Sequence, residues 1–313
     1  MAMTKYAPIT VYTYNRYDHF TKTIEALRNN YLAENSILYV VSDAAANEKD
    51  ENLVKKIRDY SKKISGFKSV ELIFRKENLG PLQSIYGAER EIIDSHGRII
   101  SMEDDNITSR NFLNFMNQGL ERFEYEQSVY SICGYCPAVK RSNKELGDIW
   151  LYPWNISWGY ATWKQKYDLL NPLINNYEQL KTEGILRRVN RMGGLYITDS
   201  LKRDYMKTAY FPDAILCCNM TKLDMVSVIP SISKVFNIGN DGSGNSKGAN
   251  TNKYDVLLDE GAKTIFDFNI TKQSLSAEMT KEVARFYNGR LVTRLARKIG
   301  IYDRLLSLKQ NYG

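Results

Sequence analysis

The chain has 313 residues, 43% hydrophobic and 25% charged, with a formal net charge of +7. That balance is ordinary for a folded domain and excludes a disordered or collagen-like chain. The sequence contains no apolar run of about 18 residues, the length a membrane-spanning helix needs, and the first eight residues lack the apolar stretch of a secretion signal, so a cytoplasmic protein is expected.

In chain order, Ile9 to Tyr14 is a β-branched and aromatic run and reads as a strand. Asp18 to Asn29 carries Phe20, Ile24 and Leu27 at helical spacing. Ile37 to Val41 predicts a second strand, Glu48 to Ser65 a helix, and Val70 to Phe74 a third strand. Pro81 sits where a helix start tolerates it and opens a helix to about Asp94. Arg98 to Met102 is the fourth strand, and it runs into Glu103-Asp104-Asp105. Ser109 is the expected N-cap of a core helix carrying Phe112, Phe115, Met116 and Leu120. Val129 to Gly134 reads as another strand. The pattern loosens from about residue 138, where all four tryptophans fall between Trp150 and Trp163. Strand-like runs return at Met225 to Ile229 and Lys234 to Ile238.

Strands alternating with helices predict an α/β, Rossmann-like, mostly parallel sheet flanked by helices. Ligands of such sheets bind beyond the carboxyl ends of the strands. Asn15-Arg16, Asp43, Asn78-Leu79-Gly80 and Glu103-Asp104-Asp105 each follow an expected strand, so they should meet along one edge. Three adjacent carboxylates after a buried strand repel one another unless a cation or hydrogen-bond donors offset them. Mg²⁺ and Mn²⁺ take oxygen ligands and commonly share them with phosphates, so the triplet suggests a metal–diphosphate site.

Four cysteines occur as Cys133-x-x-Cys136 and Cys217-Cys218. Reduced thiols packed as small hydrophobes are the expectation, ahead of a redox dithiol or a zinc site. With only His19 and His96 present, acid–base chemistry falls to carboxylates. Eight basic residues against two acids lie between Lys281 and Lys309, so nearly all the net charge sits there. That argues against a nucleic-acid surface spread over the fold. Met279, Val283, Phe286, Leu291, Leu295 and Ile299 make the same stretch a basic amphipathic helix, which suggests peripheral membrane contact through 281–309 or packing on the body.

Together, Tyr14-Asn15-Arg16, Ser42-Asp43, Asn78-Leu79-Gly80, the acidic triplet, Ser157-Trp158-Gly159 and Asn237-Ile238-Gly239-Asn240-Asp241-Gly242-Ser243-Gly244 resemble nucleotide-sugar glycosyltransferases of the GT-A fold. The nearest likeness is to a bacterial group related to N-acetylglucosaminyltransferase I, over roughly residues 6 to 250. The resemblance implies a catalytic domain at 1–250, with a nucleotide-binding half to about 137 and an acceptor-side half from 138, then a C-terminal helical extension at 251–313. It implies a metal-dependent inverting transfer, with Mn²⁺ or Mg²⁺, from a probable UDP-sugar to a glycan or lipid-linked acceptor in bacterial surface polysaccharide assembly. Asp105 would ligate the metal, Asp104 and Glu103 would face the ribose or sugar, Asp43 would accept from uracil, and Arg16 would face the diphosphate. Thr13, Asn15, Asn78, Gly80 and Gly242 would complete the donor side, with Trp154 and Trp158 on the acceptor side. Asp213 is the expected general base, Asp199 the alternative, with Asp204 behind it. The rival readings are a nucleotidyltransferase of related fold, which Tyr12 to Arg16 disfavours by lacking glycine, and a non-catalytic carbohydrate-binding or adaptor protein.

Overall fold

The computed structural model describes residues 6–139, 147–170, 174–207, 210–243, 252–269, 275–289, 291–299 and 301–302. The first half is built as expected: β1 (Ile9–Thr13), α1 (Tyr17–Arg28), β2 (Ile37–Ser42), α2 (Glu48–Ser61), β3 (Ser69–Phe74), α3 (Gly80–His96) and β4 (Arg98–Glu103). Every residue of β1 is buried, which is why Ile9-Thr-Val-Tyr-Thr13 reads as one continuous run without alternation. The second helix stops at Ser61, short of Ser65. At its start Asn47 accepts from the Lys49 backbone amide.

β5 (Asn106–Thr108) and α4 (Phe112–Arg122) follow. The N-cap of α4 is Asn111, not Ser109. Ser109 Oγ instead donates to Asn111 Oδ1 at 2.7 Å, and the Asn111 amide reaches the Lys263 carbonyl. The chain continues through β6 (Val129–Cys133), β7 (Ile149–Tyr152) and β8 (Tyr160–Trp163). Then come five helices: α5 (Lys164–Leu169), α6 (Tyr177–Thr182), α7 (Ile185–Arg191), α8 (Leu195–Tyr205) and α9 (Pro212–Lys222). β9 (Val226–Pro230), β10 (Val235–Asn237), α10 (Ala277–Asn288) and α11 (Leu291–Lys298) complete the elements used below.

Eight strands form one sheet in the order β3-β2-β1-β4-β8-β6-β9-β7. The pairs β1·β2, β1·β4, β2·β3 and β6·β9 are parallel, whereas β8 runs antiparallel to both β4 and β6. The fold is therefore mixed α/β, with a mostly parallel sheet flanked by helices, as expected. In register, Thr13 lies opposite Ser42 and Tyr12 opposite Glu103, so the carboxyl ends of β1, β2 and β4 are level. A second ribbon pairs β10 with β5 antiparallel, Asn237 opposite Asn106. That pairing carries the glycine loop after Ile238 back to the acidic triplet.

Beyond 251, Phe266, Phe268, Met279 and Val283 pack into the same core. Phe266 and Phe268 lie against Phe115, with ring centroids 5.2 Å apart in both cases. The expected single C-terminal helix is two, α10 and α11, interrupted around Gly289. Met279 and Val283 on α10 are buried, whereas Leu291, Leu295 and Ile299 are 62%, 51% and 66% exposed. Arg290, Arg304 and Lys309 of the basic stretch, and Gly244 of the glycine loop, lie outside the described residues. Among those described, no helix is long and apolar enough to cross a membrane.

Candidate active site

The strand-end groups meet. Arg16, just after β1, bridges the two aspartates of the triplet: its Nη2 contacts Asp104 Oδ1, and its Nη1 lies 2.9 Å from Asp105 Oδ2. Asp104 also accepts from Thr13 Oγ1 at 3.0 Å, and its backbone carbonyl from Thr23 Oγ1 at 2.7 Å. Asp105 Oδ1 accepts from the Asn106 and Asn237 amides at 2.9 and 2.8 Å, and the Asp105 carbonyl from the Ile238 backbone. Burial raises the pKa of Asp104, although the Arg16 charge opposes it. For Arg16 burial acts downward, but Asp104 and Asp105 outweigh it and the pKa is raised.

Asp43 is buried at the end of β2. Its Oδ1 accepts from the backbone amides of Ala44 and Leu79, at 2.9 and 3.0 Å. Asn78 Nδ2 donates to the Ala44 carbonyl at 2.7 Å, which ties the loop before α3 to the end of β2. Gly80 has φ +73°, a conformation open to glycine, at the first position of α3. Asn15 turns the other way and donates to Asp50 on α2 at 2.7 Å. The sequence brought Thr13, Arg16, Asp43, Asn78, Asp104 and Asp105 to one edge by their strand-end positions, and they are neighbours there.

Two residues of the glycine-loop motif to which the sequence assigned no separate role contribute here. Asn237 holds Asp105 through the β5·β10 ribbon. Gly239 passes so close to the pair that an added Cβ would overlap Asp105 Oδ2 and stand 3.2 Å from Arg16 Nη1. The signal was available, since Asn237 and Gly239 open the glycine loop, but only cross-strand pairing shows which glycine makes the close approach. Gly242, the member expected at the donor, has φ +87° and open space around it. Beside it, Asp241 lies 3.1 Å from His19 Nε2, joining the loop to α1.

Glu103 faces a different space. It lines a cavity of about 310 Å³ with Ser157, Trp158, Tyr196, Asp213, Tyr254 and other residues of α8, α9 and α10. Asp213, in the first turn of α9, accepts from Ser157 Oγ at 2.6 Å. By surface area Glu103 is half-buried and Asp213 exposed, yet both carboxyls are crowded by protein. Desolvation, then repulsion from Asp105, Asp213 and Asp104, pushes the Glu103 carboxyl up to about 8. Desolvation raises Asp213 as well, against the Ser157 hydrogen bond. Desolvation thus favours the protonated form of each carboxyl.

The remaining expected site residues sit elsewhere. Trp154 is fully buried and its Nε1 donates to Thr221 Oγ1 at 2.9 Å, whereas Trp158 lines the cavity. Asp199 does not line it, and its carboxylate is 3.9 Å from Arg297 on α11. Asp204 is engaged through both oxygens, by the Phe211 amide and the Asn175 side chain. All four cysteines are buried as free thiols, and burial pushes Cys133 up to about 11, away from thiolate chemistry.

A divalent cation suits this donor set in one respect. The triplet leaves negative charge that Arg16 alone does not offset, and the buried Asn106 Oδ1 has no hydrogen-bond partner. Among the described residues no group of three His, Cys, Asp or Glu side chains is arranged to hold a metal ion by itself. The protein would thus supply Asp105, with Asn106 beside it, and further oxygens would come from a ligand.

No family model matches the chain, and no curated protein matches it. Solved structures with a likeness include a mannosyltransferase from Pyrobaculum calidifontis in complex with GDP-Man and Mn²⁺, 11% identical, with a TM-score of 0.41 and 70% of each chain covered. Another is S. aureus TarS residues 1–349, 11% identical, with a TM-score of 0.41, covering 74% of this chain and 60% of that one. In a longer TarS structure the match is 12% identical with a TM-score of 0.31, spanning half of this chain and 28% of that one.

Proposed function

We propose that this protein is an inverting, metal-dependent glycosyltransferase that moves a sugar from a nucleotide-diphosphate donor to a hydroxyl acceptor. One observation carries the reading: a paired Arg16–Asp104–Asp105 cluster adjoins, through Glu103, a cavity into which Asp213 opens. The first half suits a diphosphate and the second a hydroxyl that must lose a proton.

On this reading the donor base lies against β2 and the loop before α3. No donor engages Asp43 Oδ2 among the described residues, so it remains to accept a ring N–H, as uracil offers. Thr13 and Asp104 face the ribose side, Glu103 the sugar, and Gly239 lets the backbone pass over the phosphates. Arg16 is placed to stabilise charge developing on the leaving diphosphate. Mn²⁺ or Mg²⁺ on Asp105 would add charge stabilisation at the same oxygens. Asp213 takes the acceptor proton through the oxygen not held by Ser157, and the desolvation that raises its pKa favours proton uptake. A protonated Glu103 donates to the transferred sugar without competing for that proton.

The finer assignments belong to the same proposal: a UDP-sugar, an acceptor within a surface glycan, and attachment to an anionic membrane face. The last draws on α11, where Leu291, Val292, Leu295 and Ile299 are exposed beside exposed Arg294. A thermal-shift panel of UDP-, GDP- and dTDP-sugars, each with and without Mn²⁺, tests the reading. Ligand at about 100 times its dissociation constant adds ~2.7 kcal/mol, enough to read as several degrees. No stabilisation by any nucleotide sugar would replace the transferase with a non-catalytic sugar-binding protein.

A further inference from the structure

We infer that the cavity between Glu103 and Asp213 accepts an uncharged sugar ring and rejects one bearing an anionic group. The inference rests on the transferase reading for the role of acceptor, but not for the cavity's chemistry.

The lining decides it. Two carboxyls face the space, and the other polar groups are neutral: Asn155, Ser157, Ser200 and the tyrosine hydroxyls. Among the described residues no lysine, arginine or histidine lines it. The nearby cations are engaged elsewhere. Arg16 lies outside the cavity wall, against Asp104 and Asp105, and Lys253 lies over the rings of Tyr254 and Phe286, 5.0 and 5.1 Å from their centroids. A carboxylate or phosphate entering here would lose water, find no positive partner and meet Asp213.

The rest of the wall suits the apolar face of a sugar. Trp158 is fixed edge-on by Tyr135 and Tyr254, at centroid distances of 4.7 and 5.3 Å. Tyr196 stacks on Tyr287 at 5.0 Å. Rigid aromatic walls with a few neutral hydrogen-bonding groups are how proteins hold uncharged polar ligands of this size. The volume, about 310 Å³, is sufficient for a sugar ring. Tyr254 and Tyr287 come from the C-terminal segment, so that segment helps decide what enters.

The test uses methyl glycosides of glucose, galactose, mannose and N-acetylglucosamine, with the C6 hydroxyl either kept or replaced by carboxylate or ammonium. Dissociation constants are measured on the full chain by saturation-transfer NMR at neutral pH. At least one hydroxyl form should bind, and its carboxylate form should bind at least about tenfold more weakly. Ser200→Lys places a cation in the wall and should recover carboxylate binding by a similar factor, while Trp158→Ala should remove binding of the hydroxyl form. The inference is overturned if carboxylate forms bind as tightly as the hydroxyl or ammonium forms, or if no glycoside binds at about 50 mM. UDP- and GDP-sugar titrations on the same preparation separate the two claims. Nucleotide-sugar binding with a preference for the anionic glycoside refutes this inference and leaves the transferase. Uncharged-glycoside binding without any nucleotide-sugar binding refutes the transferase and leaves the cavity as described.

Discussion

Replacing Glu103 with glutamine should stabilise the protein at alkaline pH and do little at acid pH. The structure holds this carboxyl at about 8, against an ordinary value of 4.5, by desolvation and by repulsion from Asp105, Asp213 and Asp104. The folded state therefore binds a proton that the unfolded chain releases between those pH values. Stability falls as pH rises through that window, because the native state binds more protons than the unfolded one. Each pKa unit corresponds to ~1.36 kcal/mol, so the full penalty approaches ~5 kcal/mol by pH 8. Glu103 is only half-buried, so solvent screens part of it, and we take about half, ~2 kcal/mol, as the expected gain of Glu103→Gln at pH 8. At pH 5 the wild-type carboxyl is already neutral when folded and half or more ionised when unfolded, so the gain should shrink to a few tenths of ~1 kcal/mol. Urea denaturation of both proteins at pH 5, 6.5 and 8 measures it directly. A difference that stays constant across pH, or a variant less stable than wild type at pH 8, would refute the placement of Glu103 in a desolvated, carboxyl-rich wall.

Asp213→Asn should lower turnover about 10²- to 10⁴-fold, the usual worth of a general base, while nucleotide-sugar binding by calorimetry stays unchanged. Gly239→Ala should weaken donor binding at least about tenfold, since the new Cβ overlaps Asp105 Oδ2; normal donor affinity would dismiss the close approach. Asp105→Ala should abolish any Mn²⁺-dependent part of donor binding, read by titrating nucleotide sugar with and without the metal. Trp154→Ala should destabilise the fold by ~3–5 kcal/mol in urea melts, because a fully buried indole and its bond to Thr221 are lost. Leu291→Asp with Leu295→Asp should reduce co-sedimentation with anionic-lipid vesicles several-fold; unchanged binding would return α11 to an ordinary solvated helix.

The elements that were legible are those whose burial leaves a long or periodic trace. β1 to β4 and α1 to α3 appear at nearly the expected boundaries, β1 because a parallel strand covered on both faces is apolar throughout, and β3, at the half-exposed edge, because it keeps β-branched and aromatic residues. β7 and β8 escaped notice. Each has four residues, and they lie among Pro153, Ser157 and Gly159, which read as turns. The resemblance implies Asp213 as the base, yet its start-of-helix position and its Ser157 partner are set by the tertiary fold.

The acidic triplet shows the division most plainly. That three adjacent carboxylates after a buried strand need positive partners follows from charge alone, and sequence order placed Arg16 at a neighbouring strand end. Which carboxylate meets which partner did not follow. Glu103 closes β4 and its side chain faces the cavity, whereas Asp104 and Asp105 turn to Arg16. The direction of each side chain depends on the pleat of β4 and on the turn into β5. Asn237 and Gly239 then reach Asp105 across 132 residues of chain because β10 pairs with β5. A sequence specifies its charges and apolar runs locally, but long-range strand pairing decides their neighbours.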